Sequence, residues 1–183
     1  MNLPEDPLLT LEMDVIQAWL VTPKVSIHDL DNIRLANLDS RSRIKGVESV
    51  FELKNILIEG HARDMTLNAP ASGSQVVLGT KNDPAMVDTI VMTNYGYLQL
   101  KANPGLWIFG LREGKSTEIF DIQSVGSEGW YSRNVEEIGN EIVLNNFEGL
   151  VIYPRFTRKP GKENDDVLKF EDDDGIWDYL KHK

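Results

Sequence analysis

The chain has 183 residues, of which 41% are hydrophobic and 26% charged, with no cysteine and a formal net charge of −10. This composition is ordinary for one globular domain, and it excludes a disulfide framework and a thiolate metal site. The acidic balance argues against binding nucleic-acid phosphates. No run of 18 apolar residues occurs, so we expect no membrane span. The N-terminus lacks a basic segment followed by an apolar one, so we expect no signal peptide.

Short β-branched and apolar segments follow one another along the chain, separated by turn residues. The predicted strands are residues 8–13, 18–21, 47–58, 75–78, 89–92, 97–101, 107–111, 117–124, 141–144 and 150–158. No amphipathic helix longer than two turns stands out. Short strands at roughly 8–12-residue spacing are typical of two packed antiparallel sheets. The sequence therefore predicts an all-β fold, an antiparallel β-sandwich, over residues 1–160.

Several strand boundaries rest on single residues. Thr22-Pro23 is expected to end the second strand, and Pro154 to interrupt the last one at an edge or a bulge. Asn103-Pro104-Gly105 has the residues of a type II turn, with glycine at the position that needs positive φ. Residues 112–115 are expected to form a hairpin turn. The polar residues 37–46 and 125–139 are interpreted as two mobile loops.

Alternation within the strands predicts which side chains are buried. Leu98 and Leu100 share one face of their strand, and Trp107 and Phe109 share the buried face of the next. In residues 47–58 the alternation breaks at Ile56 and Ile58. Either that end is covered on both faces, or a bulge shifts the register.

The acidity is concentrated near the C-terminus, where Glu163 to Asp174 contain seven acidic residues and one lysine. Residues 161–183 are therefore interpreted as an acidic linker, in which Ile176, Trp177 and Leu180 can form one amphipathic turn. The basic cluster just before it is interpreted as a solvated strand end rather than a phosphate site. That cluster consists of Arg155, Arg158, Lys159 and Lys162.

Three acidic patterns invite a catalytic or metal-binding reading. Asp29-Leu30-Asp31 is a D-x-D pair that can hold a divalent metal, but no βαβ alternation surrounds it, so turn capping is favoured. Residues 171–174 lack the spacing of a calcium loop, so a solvated linker is favoured. Glu59 and His61 fall on one face of a strand and suit acid–base work, yet a structural role is favoured because no nucleophile accompanies them.

Aromatic residues in a β-domain usually belong to the core. Trp130-Tyr131 lies in a polar stretch and is the better candidate for an exposed contact with a client protein or a glycan. No residue is predicted to be catalytic, to bind a cofactor or to ligate a metal.

Several blocks in a fixed order resemble the UDP-glucose:glycoprotein glucosyltransferases, the folding-sensor enzymes of the endoplasmic reticulum. The resemblance extends from about Thr10 to about Leu168. The blocks are Leu11-Glu12-Met13-Asp14-Val15, Asp29 to Ile33, Ile58-Glu59-Gly60-His61, Leu78-Gly79-Thr80, Val87 to Trp107, Gly114-Lys115-Ser116, Glu118-Ile119-Phe120, Val143 to Phe147 and Asp165-Asp166-Val167-Leu168. Trp19 to Lys24 and Tyr153-Pro154-Arg155 look closer to fungal members.

The resemblance implies the β-sandwich that precedes the catalytic domain in that family. The family transfers glucose from UDP-glucose to N-glycans of misfolded glycoproteins in the lumen of the endoplasmic reticulum. Its UDP-glucose and divalent metal bind in the downstream catalytic domain, so the resemblance carries no catalytic residue over to this sequence. The implied partners are the neighbouring catalytic and thioredoxin-like domains and misfolded glycoproteins.

Two main functional hypotheses remain. The first is a non-catalytic module that supports the catalytic domain. The second is a carbohydrate- or client-binding module with its own site around Trp130 and Tyr131. A hydrolase that uses Glu59 and His61 is a third and weaker alternative.

Overall fold

The computed structural model describes residues 7–168, and most of its regular structure is extended. The strands are Leu8–Leu9 (β1), Trp19–Ser26 (β2), Ile33–Arg34 (β3), Ser49–His61 (β4), Arg63–Asp64 (β5), Ala69–Pro70 (β6), Gln75–Gly79 (β7), Val87–Ile90 (β8), Tyr97–Ala102 (β9), Gly105–Leu111 (β10), Phe120–Ser124 (β11), Glu141–Leu144 (β12), Leu150–Ile152 (β13) and Arg155–Arg158 (β14). The helices are Ser40–Lys45 (α1), Lys115–Ile119 (α2) and Val135–Ile138 (α3), with 3-10 turns at Leu35–Asn37 and Gly129–Tyr131. The predicted all-β class is confirmed.

The chain divides into two compact units, Met1–Ile56 and Leu57–Lys183, and the division falls inside β4. In the first unit β2 pairs antiparallel with the first part of β4, and β1 pairs antiparallel with β3. The predicted domain over residues 1–160 and linker over residues 161–183 stay predictions. Residues 169–183, which include Ile176, Trp177 and Leu180, lie outside the described residues.

The second unit contains most of the pairing. One four-stranded sheet has the antiparallel order β12-β10-β7-β8, and a second four-stranded sheet has the order β11-β14-β5-β6. Two pairings differ from the antiparallel prediction: β13 runs parallel to the end of β4, and β14 runs parallel to β5. Antiparallel pairing therefore predominates, as predicted, while the packing of the sheets as a sandwich stays a prediction.

The core of the second unit follows the predicted alternation. Leu98 and Leu100 on β9 are buried, and so are Trp107 and Phe109 on β10. The rings of Phe109 and Phe120 lie 6.5 and 5.9 Å from the ring of Phe156. These side chains remove a large apolar area from water, which is the main source of stability in such a domain.

Both alternatives for the interrupted alternation of β4 occur. Ile56, Leu57 and Ile58 are all buried, so both faces of the strand are covered there. The register with β2 also shifts between the pairs Leu20↔Asn55 and Val21↔Leu53.

The prediction that Thr22-Pro23 ends the second strand is wrong. Strand β2 continues to Ser26, and Pro23 pairs with Phe51. The register shifts between Pro23 and Val25, and β2 lies at the edge of its sheet. Proline has no backbone N–H to donate, so an edge position with a bulge accommodates it.

Other boundaries also differ from the predictions. The strand predicted over residues 8–13 is limited to Leu8–Leu9, and the one over residues 117–124 begins only at Phe120 because α2 occupies Lys115–Ile119. Gly114 and Thr117 start this helix: the Thr117 hydroxyl accepts from Gly114 N and donates to Gly114 O. The two predicted loops contain α1, capped by Asp39, and α3.

Of the two turns that flank β9, one agrees with the prediction and the other does not. Asn94 O accepts from Tyr97 N, with Tyr95 and Gly96 at φ of 57° and 69°, so a turn separates the strands predicted over residues 89–92 and 97–101. Gly105 has φ of 159° and begins β10, so the predicted type II turn, which needs φ near +80°, is wrong. The predicted interruption at Pro154 is confirmed, since it separates β13 from β14.

Candidate interaction surfaces

The Trp130-Tyr131 candidate lies on a short turn of the second unit. Gly129–Tyr131 forms a single 3-10 turn, and the Tyr131 side chain is 89% exposed. A tyrosine so exposed contributes little apolar burial to the fold, while its ring and hydroxyl remain available to a partner. Tyr131 is therefore exposed, and Trp130 belongs to the same turn, while their role as a contact stays a prediction.

Hydrogen bonds at the base hold this turn. The buried hydroxyl of Ser132 accepts from Glu128 N at 3.1 Å and donates to Gly129 O at 3.0 Å. The guanidinium of Arg155 donates to Ser132 O. Gly126 permits the close approach, because a Cβ there would lie 2.7 Å from Ser132 Cβ. The turn is therefore a braced projection from the second unit.

A second surface combines a histidine and a carboxylate on β4, a tyrosine on β9 and a tyrosine just after β13. The ring of His61 lies 5.7 Å from Tyr97 in an edge arrangement and 6.2 Å from Tyr153 in a stacked one. Tyr97 donates its hydroxyl to Glu59 Oε1 at 2.7 Å. Burial and then this hydrogen bond raise the pKa of Tyr97 to about 12. We call these four residues the aromatic row.

The pleat of β4 explains why two members of the aromatic row, Glu59 and His61, share one face of the strand. Successive side chains point to opposite faces of a strand, so Glu59 and His61 share the face away from Gly60. A Cβ on Gly60 would lie 3.0 Å from Ile152 and 3.1 Å from Leu98, which shows that Gly60 faces the core. Glu59 and His61 thus lie on one face, as predicted, and both contact tyrosines.

Asp29 lies in the turn-capping geometry that the sequence analysis favoured. Its carboxylate accepts from Asp31 N at 3.2 Å and from Asn32 Nδ2 at 3.0 Å. Asp29 and Asp31 line an open cleft of 590 Å³ in the first unit, with Trp19 and His28. Within residues 7–168 no group of three or more His, Asp or Glu side chains is placed to hold a metal ion. Residues 171–174 lie outside the described range.

The interpretation of the basic cluster as a solvated strand end is wrong for Arg158. Its side chain is 10% exposed, and Nε lies 2.6 Å from Oδ2 of Asp64, which is 2% exposed. Sequence analysis missed this pair because 94 residues separate its members. It also gave no sign that Tyr97 and Tyr153 flank His61, since that contact depends on strand order.

The fold and these surfaces define an all-β module that presents aromatic side chains on ordered strands and turns. No helix within residues 7–168 has the length and apolar character needed to cross a membrane. The family model described as UDP-glucose:Glycoprotein Glucosyltransferase matches residues 59–169.

Curated relatives extend this similarity to nearly the whole chain. Human UDP-glucose:glycoprotein glucosyltransferase 2 is 42% identical over 99% of the chain, and human UDP-glucose:glycoprotein glucosyltransferase 1 is 40% identical over 99%. The Drosophila melanogaster UDP-glucose:glycoprotein glucosyltransferase is 39% identical over 98%. The chain belongs to the UDP-glucose:glycoprotein glucosyltransferase family. It spans only 11–12% of the length of these three relatives.

Proposed function

We propose that this chain is a non-catalytic β-structured segment of a UDP-glucose:glycoprotein glucosyltransferase. In this role it supports the return of glucose to N-glycans of misfolded glycoproteins in the lumen of the endoplasmic reticulum. The observation that carries the proposal is the match itself, which runs along almost the entire chain but covers only 11–12% of each relative. UDP-glucose and its divalent metal would bind in a catalytic domain elsewhere in the parent enzyme.

A supporting segment needs rigidity and surfaces for its neighbours. The buried aromatic cluster around Phe156 supplies rigidity in the second unit. In the first unit Ile27 and Ile44 are 88% and 86% exposed, as expected for side chains that another domain covers. The proposed neighbours are the catalytic and thioredoxin-like domains of the parent enzyme.

A chimeric enzyme tests the supporting role. The matched segment of human UDP-glucose:glycoprotein glucosyltransferase 2 is replaced by this chain, and glucose transfer to a denatured glycoprotein is measured. We expect the chimera to retain transfer, and the core substitution Phe156→Ala within it to reduce transfer strongly. A folded chimera without transfer, or one that tolerates Phe156→Ala with full activity, would contradict the proposal.

The exposure of Tyr131 on a braced turn favours a second candidate function, a site for glycans or client proteins. Titration of a high-mannose glycan and of an unfolded glycoprotein against the labelled chain, followed by NMR, separates the two functions. Saturable shifts centred on residues 126–132 that Tyr131→Ala abolishes would favour the binding module. Their absence would favour the supporting role.

A further inference from the structure

The pair of Asp64 and Arg158 is a fully engaged buried ion pair in the second unit. While one Asp64 oxygen binds Arg158, the other accepts from Thr66 N at 2.9 Å and from Leu67 N at 3.2 Å. The guanidinium carbon of Arg158 also lies 5.1 Å from the centre of the Phe120 ring. Removing one member of such a pair leaves a buried charge without compensation, so the arrangement is held firmly.

The same guanidinium holds the chain that follows β14. Arg158 Nη1 donates to Lys162 O at 3.0 Å and also to Asp165 O. Lys162 Nζ lies 2.8 Å from Asp165 Oδ2, which closes the bend. One side chain therefore binds Asp64 in the core and two carbonyls of the exit segment, defined here as residues 159–168.

The far end of the exit segment lies against Gly73. A Cβ built on Gly73 would lie 2.5 Å from Leu168 Cγ, so the Leu168 side chain lies directly against Gly73. Gly73 also has φ of 80°, which favours glycine, and its N–H donates to Val91 O at 2.9 Å. Val167 and Leu168 help to line a cleft of 290 Å³ at this point. The exit segment is thus attached near both of its ends.

We propose that Asp64 and Arg158 form an internal anchor that docks the exit segment on the second unit. The chain then reaches Leu168 at a fixed point on the second unit and in a fixed direction. The docked part of the chain therefore extends to Leu168, beyond Gly161 where the composition changes. This inference deepens the proposed supporting role and rests on it only for the identity of the domain that is positioned.

Distance measurements between spin labels test the anchor in the 183-residue chain. The sequence has no cysteine, so cysteines introduced at the exposed residues Glu118 and Asn164 are the only labelling sites. We expect one narrow distance distribution. Arg158→Met and Asp64→Asn should at least double its width. Arg112→Met, which breaks the exposed Arg112–Asp88 pair, serves as the matched control and should leave the width unchanged.

Arg158→Lys keeps the test decisive if the first two variants fail to fold. It retains the charge facing Asp64, but an ammonium group lacks the planar fork that reaches two carbonyls beyond the carboxylate. We expect a folded chain with a broadened distribution. A broad distribution in the unsubstituted chain, or a narrow one in Arg158→Lys, would overturn the anchor. An inactive chimera with a narrow distribution would instead refute the supporting role alone.

Discussion

Tyr97 on β9 donates a 2.7 Å hydrogen bond to Glu59 on β4, which ties together two neighbouring strands of the second unit. The bond orients the Tyr97 ring edge-on to His61. Glu59 and His61 invite an acid–base reading in the sequence alone. In the structure the carboxylate is engaged by a phenol, which is the kind of strand cross-link that a structural role requires.

The environment of Tyr97 predicts that its hydroxyl loses its proton at a higher pH than an ordinary tyrosine does. Burial, and secondarily the bond to Glu59, raise the pKa of Tyr97 from 10.0 to about 12. Because the folded-state pKa is raised, its contribution to stability is complete below pH 10 and is lost as the pH rises towards 12. Titration of tyrosinate absorbance should show a late step that Tyr97→Phe removes. Glu59→Gln should lower that pKa only partly, since burial is the larger cause.

A single common step for all five tyrosines of the native chain would contradict this prediction. Denatured chain provides the control, because the late step should disappear when the burial is lost.

Gly96 and Gly129 are suited to a comparison of how much stability is lost when a glycine is replaced by alanine. Both have positive φ, 69° and 63°, but a Cβ on Gly96 would lie 2.1 Å from Ala62 O, whereas Gly129 has nothing within 4 Å. Gly129→Ala should cost only the left-handed backbone penalty of about 1–2 kcal/mol. Gly96→Ala should cost roughly 1–3 kcal/mol more, because the turn must move away from the Ala62 carbonyl.

Urea unfolding of both variants measures this difference through the change in midpoint. Equal losses in the two variants would show that the close approach of Gly96 to Ala62 does not matter to the fold.

Replacement of Phe156 and of Tyr131 by alanine should change the free energy of unfolding by very different amounts. Phe156 is fully buried between Phe109 and Phe120, so Phe156→Ala should lower the free energy of unfolding by about 3–5 kcal/mol. Tyr131→Ala should change it by less than about 0.5 kcal/mol, because the ring is in solvent. Thermal or urea unfolding provides the measurement. A large loss at Tyr131 would mean that its ring serves the fold and not a partner.

Sequence patterns predicted the parts of the fold that depend on local alternation. Leu98 and Leu100 are buried because they alternate with polar neighbours, and Pro154 separates two strands because it cannot donate to a ladder. The exposed position of Tyr131 was also predictable, since it lies in a polar stretch.

Features that depend on distant pairing were not predictable. The parallel partners of β13 and β14 leave no mark on their own short sequences. The Asp64–Arg158 pair joins residues 94 positions apart, and a basic strand end of this kind is usually solvated. Helix α2 was missed because Thr117 to Ser124 has strand propensity, while the bonds between Gly114 and Thr117 favour a helical start.

The most direct test of the supporting role is a glucose-transfer assay on the purified 183-residue chain. Radiolabelled UDP-glucose and a denatured high-mannose glycoprotein serve as substrates, with divalent metal added and human UDP-glucose:glycoprotein glucosyltransferase 1 as the positive control. The proposal predicts no incorporation above the blank from a chain whose folding is verified by the late tyrosine titration. Incorporation that scales with the amount of chain and survives repurification would contradict it.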